Sequence, residues 1–333
     1  MNKRLFLFGL LACAAVSTAA AETNELLNAS YDVSRELFAQ VNPAFAAAWQ
    51  AKTGQRLTIR QSHGGSSKQA RAVADGLQAD VVTFNQATDI QFLVKSGLVQ
   101  PDWSTRLPNG GSPYYSFPVL LVRAGNPKQI RDWDDLAKPG VGVVFANPKT
   151  SGNGRYTYLA AYAYALGRDG NDDAKARAFV GKVLGNVPVF DTGGRGATTT
   201  FVERHIGDVL VTFESEIGVI RREYQQAGLQ VVYPSISLRA DFPVAVVDAV
   251  VNKHGTRAAA EAYLQYLYSE PGQEILARNF NRVRNETVSA RHKSEFPAIR
   301  LTSVEETFGG WEQVGKAHFA DGGVLDQLLG ERR

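Results

Sequence analysis

Cysteine is almost missing from this chain: Cys13 stands alone, within the first twenty residues. Once that segment is removed no thiol remains, so neither a disulfide nor a thiolate metal site can form. An excess of charge is missing too. The formal net charge is only +3, and without Lys3 and Arg4 basic and acidic side chains are almost equal in number. So balanced a surface argues against nucleic acid as a partner, and bulk charge would not draw in an anion. The apolar run at residues 5–16 is too short to span a membrane, and no later run is long enough either. Several catalytic signatures are also absent. There is no GxxxxGK[ST] loop, no GxGxxG, no G-x-S-x-G elbow and no HExxH spacing among the scattered His63, His205, His254, His292 and His318.

What is present begins with an export signal. Lys3 and Arg4 precede the apolar core, and Ala19-Ala20-Ala21 supplies the small residues of a cleavage site, so the segment 1–21 reads as a signal peptide. Leu10-Leu11-Ala12-Cys13 loosely resembles a lipoprotein box, but Leu11 is atypical there and the alanine site downstream is better. The mature chain is long enough for two domains.

Beyond the signal, short β-rich runs alternate with helical patterns. Strands are expected at 57–61, 80–84, 117–123, 141–146, 187–190, 209–213, 229–233 and 244–251, with helices such as 70–77, 155–166, 174–184 and 258–268 between them. This alternation predicts α/β units with largely parallel sheets. Leu37, Val41, Phe45 and Ala48 share one face of an early helix, where Pro43 predicts either a kink or a restart. The segments around 108–113 and 240–243 are the expected crossings between two discontinuous lobes. Lobe one is read as 22–112 with 243–300, lobe two as 113–242, and 301–333 as a C-terminal segment near the hinge.

Three segments share one design: strand, turn of glycine and small hydroxyl residues, helix start. They are Ser62-His63-Gly64-Gly65-Ser66-Ser67, the run from Asn147 to Gly154, and Asp191-Thr192-Gly193-Gly194-Arg195-Gly196. Such turns aim unused backbone N–H groups and a positive helix end beyond the strand, where ligands of open α/β sheets sit. Each turn alone is equally an ordinary helix cap; three together point to an anion site. His63 reads as a structural residue rather than a catalytic one. Tyr114-Tyr115 is similar to the paired tyrosines of ferric-ion binders, although such a pair is more often packing. Glu214 and Glu216 read as solvated charges at a helix start.

At these residues the chain resembles the periplasmic sulfate- and thiosulfate-binding proteins of ABC importers over nearly its whole mature length. The resemblance rests on LLNASYDVSREL (26–37), QSHGGSSKQA (61–70), LVRAGNPKQIRDWDDL (121–136), NPKTSGNGRYTYLAAY (147–162), DTGGRGATTTFVER (191–204) and WEQVGKAHFADGG (311–323). VSREL, VVTFNQATD (81–89) and VTFESE (211–216) look more like the thiosulfate-binding branch. The resemblance implies a type II periplasmic binding fold, two lobes closing about a hinge on a buried dianion, without metal, cofactor or catalysis. It implies as donors the Asp32 N–H, the Ser66 and Ser151 hydroxyls, and the N–H groups of Gly152, Asn153 and Gly194. Asn153 stands where the sulfate binders place glycine. Phe213 stands where they place a tryptophan whose indole N–H donates to the anion. Its apolar ring suits the larger, poorly accepting terminal sulfur of thiosulfate. The implied partners are thiosulfate or sulfate and a membrane permease, for a monomer in the periplasm. The rival reading is an exported hydrolase or transferase acting on sulfate or phosphate esters.

Overall fold

The computed structural model describes residues 25–331; the signal segment lies outside them. The chain first lays down β1 (Glu25–Tyr31), β2 (Thr58–Gly64) and β3 (Val81–Thr83), all parallel, with β1 in the middle. It crosses as β4 (Tyr114–Ser116) into β5 (Pro118–Val122) and continues through β6 (Val143–Val144), β7 (Val209–Phe213) and β8 (Gln230–Val232). These last four form a second sheet in the order β6-β7-β5-β8. The return runs through β9 (Ser237–Leu238) and β10 (Ala240–Phe242) to β11 (Val244–Val246), which pairs with β3 and completes the first sheet. β12 (Arg282–Val283) joins β4 and β10 in a three-stranded sheet at the crossing, and β13 (Leu301–Thr302) pairs with β9. The two four-stranded sheets are the centres of two lobes.

Strand direction follows from this route. β1, β2 and β3 end at the cleft between the lobes, as β6 and β7 do from the other side. A strand delivered by the crossing must start at the cleft and so runs against them. β5 is therefore antiparallel to β7, with Pro118 opposite Phe213, and β11 is antiparallel to β3, with Val244 opposite Thr83. β8 is antiparallel to β5 as well, so the second sheet is mixed rather than largely parallel.

Other departures from the sequence pattern have local causes. Residues 187–190 form no strand, because Pro188 has no N–H for a ladder; a single bridge joins Ala146 to Asp191. The valine run after 246 turns into the helix Asp248–His254. Asp248 fixes that turn by accepting from the N–H of Gln100 (2.9 Å) and from Arg106 and Arg257 (2.9 and 2.8 Å). Pro43 lies inside one uninterrupted helix, Arg35–Thr53, whose Phe38 and Phe45 pack against Tyr263.

β1 is central and buried yet carries Asn28 and Ser30, which hid it from an apolar count. Their polar atoms are satisfied: Thr83 donates to Asn28 Oδ1 (3.0 Å), Asn28 Nδ2 to Tyr263 (3.2 Å) and Ser30 to the Thr83 carbonyl (3.0 Å). The C-terminal segment packs against the second lobe. Helix Val324–Gly330 lies on helix Asp173–Gly185, Lys149 pairs with Asp326 (2.6 Å), and His318 sits among Tyr158, Tyr162 and Phe308. No helix among the described residues is long and apolar enough to cross a membrane.

Candidate anion site

The first two glycine–hydroxyl turns follow β2 and β6 at the cleft, and the third follows the single bridge that joins Asp191 to Ala146. Ser66 is the first residue of helix Ser66–Ala74, after Gly65. Ser151 caps helix Gly152–Arg168, its hydroxyl accepting the Gly154 N–H (3.5 Å). Gly194 opens helix Gly194–Val202. The N–H groups of Gly152, Asn153 and Gly194 belong to first helical turns, so their own helices leave them without a carbonyl partner.

The lobes meet through these turns. A Cβ on Gly65 would lie 3.0 Å from the Thr150 carbonyl and 3.6 Å from that of Thr192, so the first turn presses on the other two. Asp32, just beyond β1, reaches Gly193 closely and accepts the Arg195 N–H (3.3 Å). Arg195 in turn pairs with Glu36 of the first lobe (2.6 Å) and with Glu223 of its own (3.4 Å). Asn153 and Glu216 both pack against Gly194. Asp32, Ser66, Ser151, Gly152, Asn153 and Gly194 are thus linked through a continuous set of contacts. Phe213 enters this set from the side. It follows Thr212, whose hydroxyl accepts from Asn153 Nδ2 (2.9 Å), and its fully buried ring packs edge-on against Tyr156 and Phe242.

The carboxyl groups here are held toward their neutral forms. Burial raises Asp32, although the N–H groups of Arg195, Asp32 and Val33 and the charge of Arg195 oppose the shift. Burial pushes Glu216 up to about 7, against hydrogen bonds donated by Thr198 and Thr212. Asp89, fully enclosed behind Ser66, is also raised by burial; Ser66, Gln86, the charge of Arg155 and Ser67 oppose that shift.

Glu214 and Glu216 therefore correct the expectation of solvated charges: they are 5% and 3% exposed. Glu214 forms a two-point pair with Arg282 (2.7 and 2.9 Å), and Glu216 ties helix Gly194–Val202 to β7. Their spacing at a strand end gave no sign that the helix start would be roofed by another element. His63 places Nδ1 3.2 Å from the Tyr31 carbonyl, and burial lowers its pKa. Tyr114 and Tyr115 diverge, as successive strand residues must: Tyr114 packs on Phe242, while Tyr115 lies under the Arg284 guanidinium. Among the described residues no group of three or more His, Cys, Asp or Glu is placed to hold a metal ion.

Comparison with known proteins identifies the family. Residues 33–281 match the family described as bacterial extracellular solute-binding protein. The chain belongs to that family. It is 57% identical to the thiosulfate-binding protein of Pseudomonas aeruginosa over 98% of both chains, and 49% identical to the sulfate-binding protein of Escherichia coli over 96% of this chain and 97% of that one. Among solved structures it is similar to the sulfate-binding protein SubI from Mycobacterium tuberculosis, with a TM-score of 0.80 and 33% identity over 88% of this chain and 98% of that one. The shared architecture is the two-lobed type II binding fold.

Proposed function

We propose that this solute-binding protein works in the periplasm, closes on thiosulfate, and on sulfate as well, and hands the anion to the membrane permease of an ABC importer. The observation that carries the reading is the meeting of three donor-rich turns from two lobes, whose own cations, Arg195 and Lys149, are paired with Glu36 and Glu223 and with Asp326. A dianion leaving water needs its hydration replaced. Asp32, Ser66, Ser151, Gly152, Asn153 and Gly194 supply N–H and O–H donors for that, and Phe213 supplies an apolar wall for the terminal sulfur. Binding across the cleft favours the closed arrangement. The names of the relatives support both anions, with thiosulfate first. The pairing of β11 with β3, and of β5 with β7, supports lobe one as 22–112 with 243–300 and lobe two as 113–242. The ester-cleaving alternative has no observation in its favour.

The test is thermal unfolding in the presence of an oxyanion panel. Thiosulfate and sulfate at micromolar to millimolar concentration should raise Tm, following RT ln(1 + [L]/Kd), and phosphate far less. Equal stabilisation by phosphate, or none by either sulfur anion, overturns the reading.

A further inference from the structure

Asn85 lies outside the three turns. It follows β3 at the cleft edge, and its backbone N–H points to the Ser66 hydroxyl (3.4 Å). Its side chain crosses to the other lobe and lies broadside on Gly152: a Cβ there would fall 2.0 Å from Asn85 Oδ1, 2.8 Å from Cγ and 3.2 Å from Nδ2. The residue is 3% exposed, and Oδ1 is sealed from solvent without a hydrogen-bond partner. A buried amide oxygen without a partner is costly, so a structure that keeps one between two lobes has a use for it.

We infer that the Asn85 carboxamide is a further anion-binding and specificity-determining group, turning Nδ2 toward a terminal oxygen of the bound sulfur anion. This rests on the site proposed above. Asn85 stands between Ser66 and Gly152, donor residues of opposite lobes, so an anion touching both is within reach of its amide. Oxygen and nitrogen of a carboxamide exchange places by a half-turn about the last bond, with little change of shape. With Oδ1 inward the amide opposes a dianion but accepts a proton from hydrogen phosphate. With Nδ2 inward it donates to the dianion and has no lone pair for that proton. Asn85 thus adds a side-chain donor from the first lobe, where Phe213 of the second lobe contributes none, and it helps exclude protonated oxyanions.

Calorimetric titration with thiosulfate at pH 8 tests this, using Asn85→Asp, Asn85→Leu and Ser151→Ala, each titrated as folded protein well below its own apo Tm, because Ser151→Ala also removes a helix cap. Asn85→Ala replaces the leucine variant if that one does not fold. Loss of one donor to a charged group should weaken binding about ten- to hundredfold in Asn85→Leu and Ser151→Ala. Asn85→Asp keeps the shape but puts a carboxylate against the anion, and should lose more than the leucine variant. In the wild-type protein the Asn85 side-chain amide resonances should shift on titration. Wild-type affinity in Asn85→Asp, with Ser151→Ala weakened, overturns the inference and leaves the site standing, since Asn85 then only packs. Wild-type affinity in both removes the site itself, and the inference with it.

Discussion

Gly152 and Gly154 stand at the same helix start, yet an added methyl would act at different stages of the protein's life. On Gly154 it would fall 2.1 Å from the Ala146 carbonyl oxygen, inside one lobe, where the backbone cannot yield. Gly154→Ala should therefore lower Tm without ligand, by an overpacking cost of ~1–3 kcal/mol or more. On Gly152 the atoms nearest the methyl are all of Asn85, in the opposite lobe. Gly152→Ala should leave the apo Tm in place and weaken thiosulfate binding, which titration of the folded variant reads directly. Glu216 carries a second residue-scale prediction. Its folded pKa of about 7 lies above its ordinary value of 4.5, so the folded protein holds the proton more tightly than the unfolded chain. The associated stability is fully present below about pH 4.5 and is lost as pH rises through 7, at ~1.4 kcal/mol per pKa unit. Ligand-free Glu216→Gln should lose this slope in Tm between pH 5 and 7. The turns were legible because glycine, hydroxyl and helix pattern are contiguous in each. Asn85 was not, because its partner Gly152 is remote in sequence and a lone asparagine after a strand reads as a turn.

At the scale of elements, the sequence revealed strands where apolar residues alternate or run together and missed them where burial is polar. β7 appears in full, whereas β1 stayed hidden because Asn28 and Ser30 spend their polarity on Thr83 and Tyr263. Direction was not legible at all, since it depends on which strands the crossing delivers. The crossing also holds the buried pair of Glu214, at the end of β7, with Arg282 on β12; Arg282 further donates to the Pro297 carbonyl (2.7 Å) and lies over Phe117. Arg282→Met would leave the Glu214 carboxylate enclosed and unpaired, a loss of ~3–5 kcal/mol. Urea denaturation should show that loss, and adding Glu214→Gln should recover part of it.

For the whole molecule, closure is secured by more than the anion. Arg195 holds Glu223 within its own lobe and Glu36 across the cleft. The cross-cleft pair is about one-third exposed on each side, so screening limits it to ~0–1 kcal/mol. Glu36→Gln should speed thiosulfate release up to about fivefold in stopped-flow measurements. Association should change little, and the difference should shrink in high salt. The route of the chain has a different consequence, for assembly. β11 reaches β3 only after the entire second sheet has been synthesised, so until then the otherwise internal strand β3 stands as an edge of the first sheet. An open edge is a template for pairing with another chain, and aggregation competes with folding wherever one persists. A chain made from its N-terminus thus exposes the β3 edge first, and its yield depends on how quickly residues 244–246 arrive to cover it.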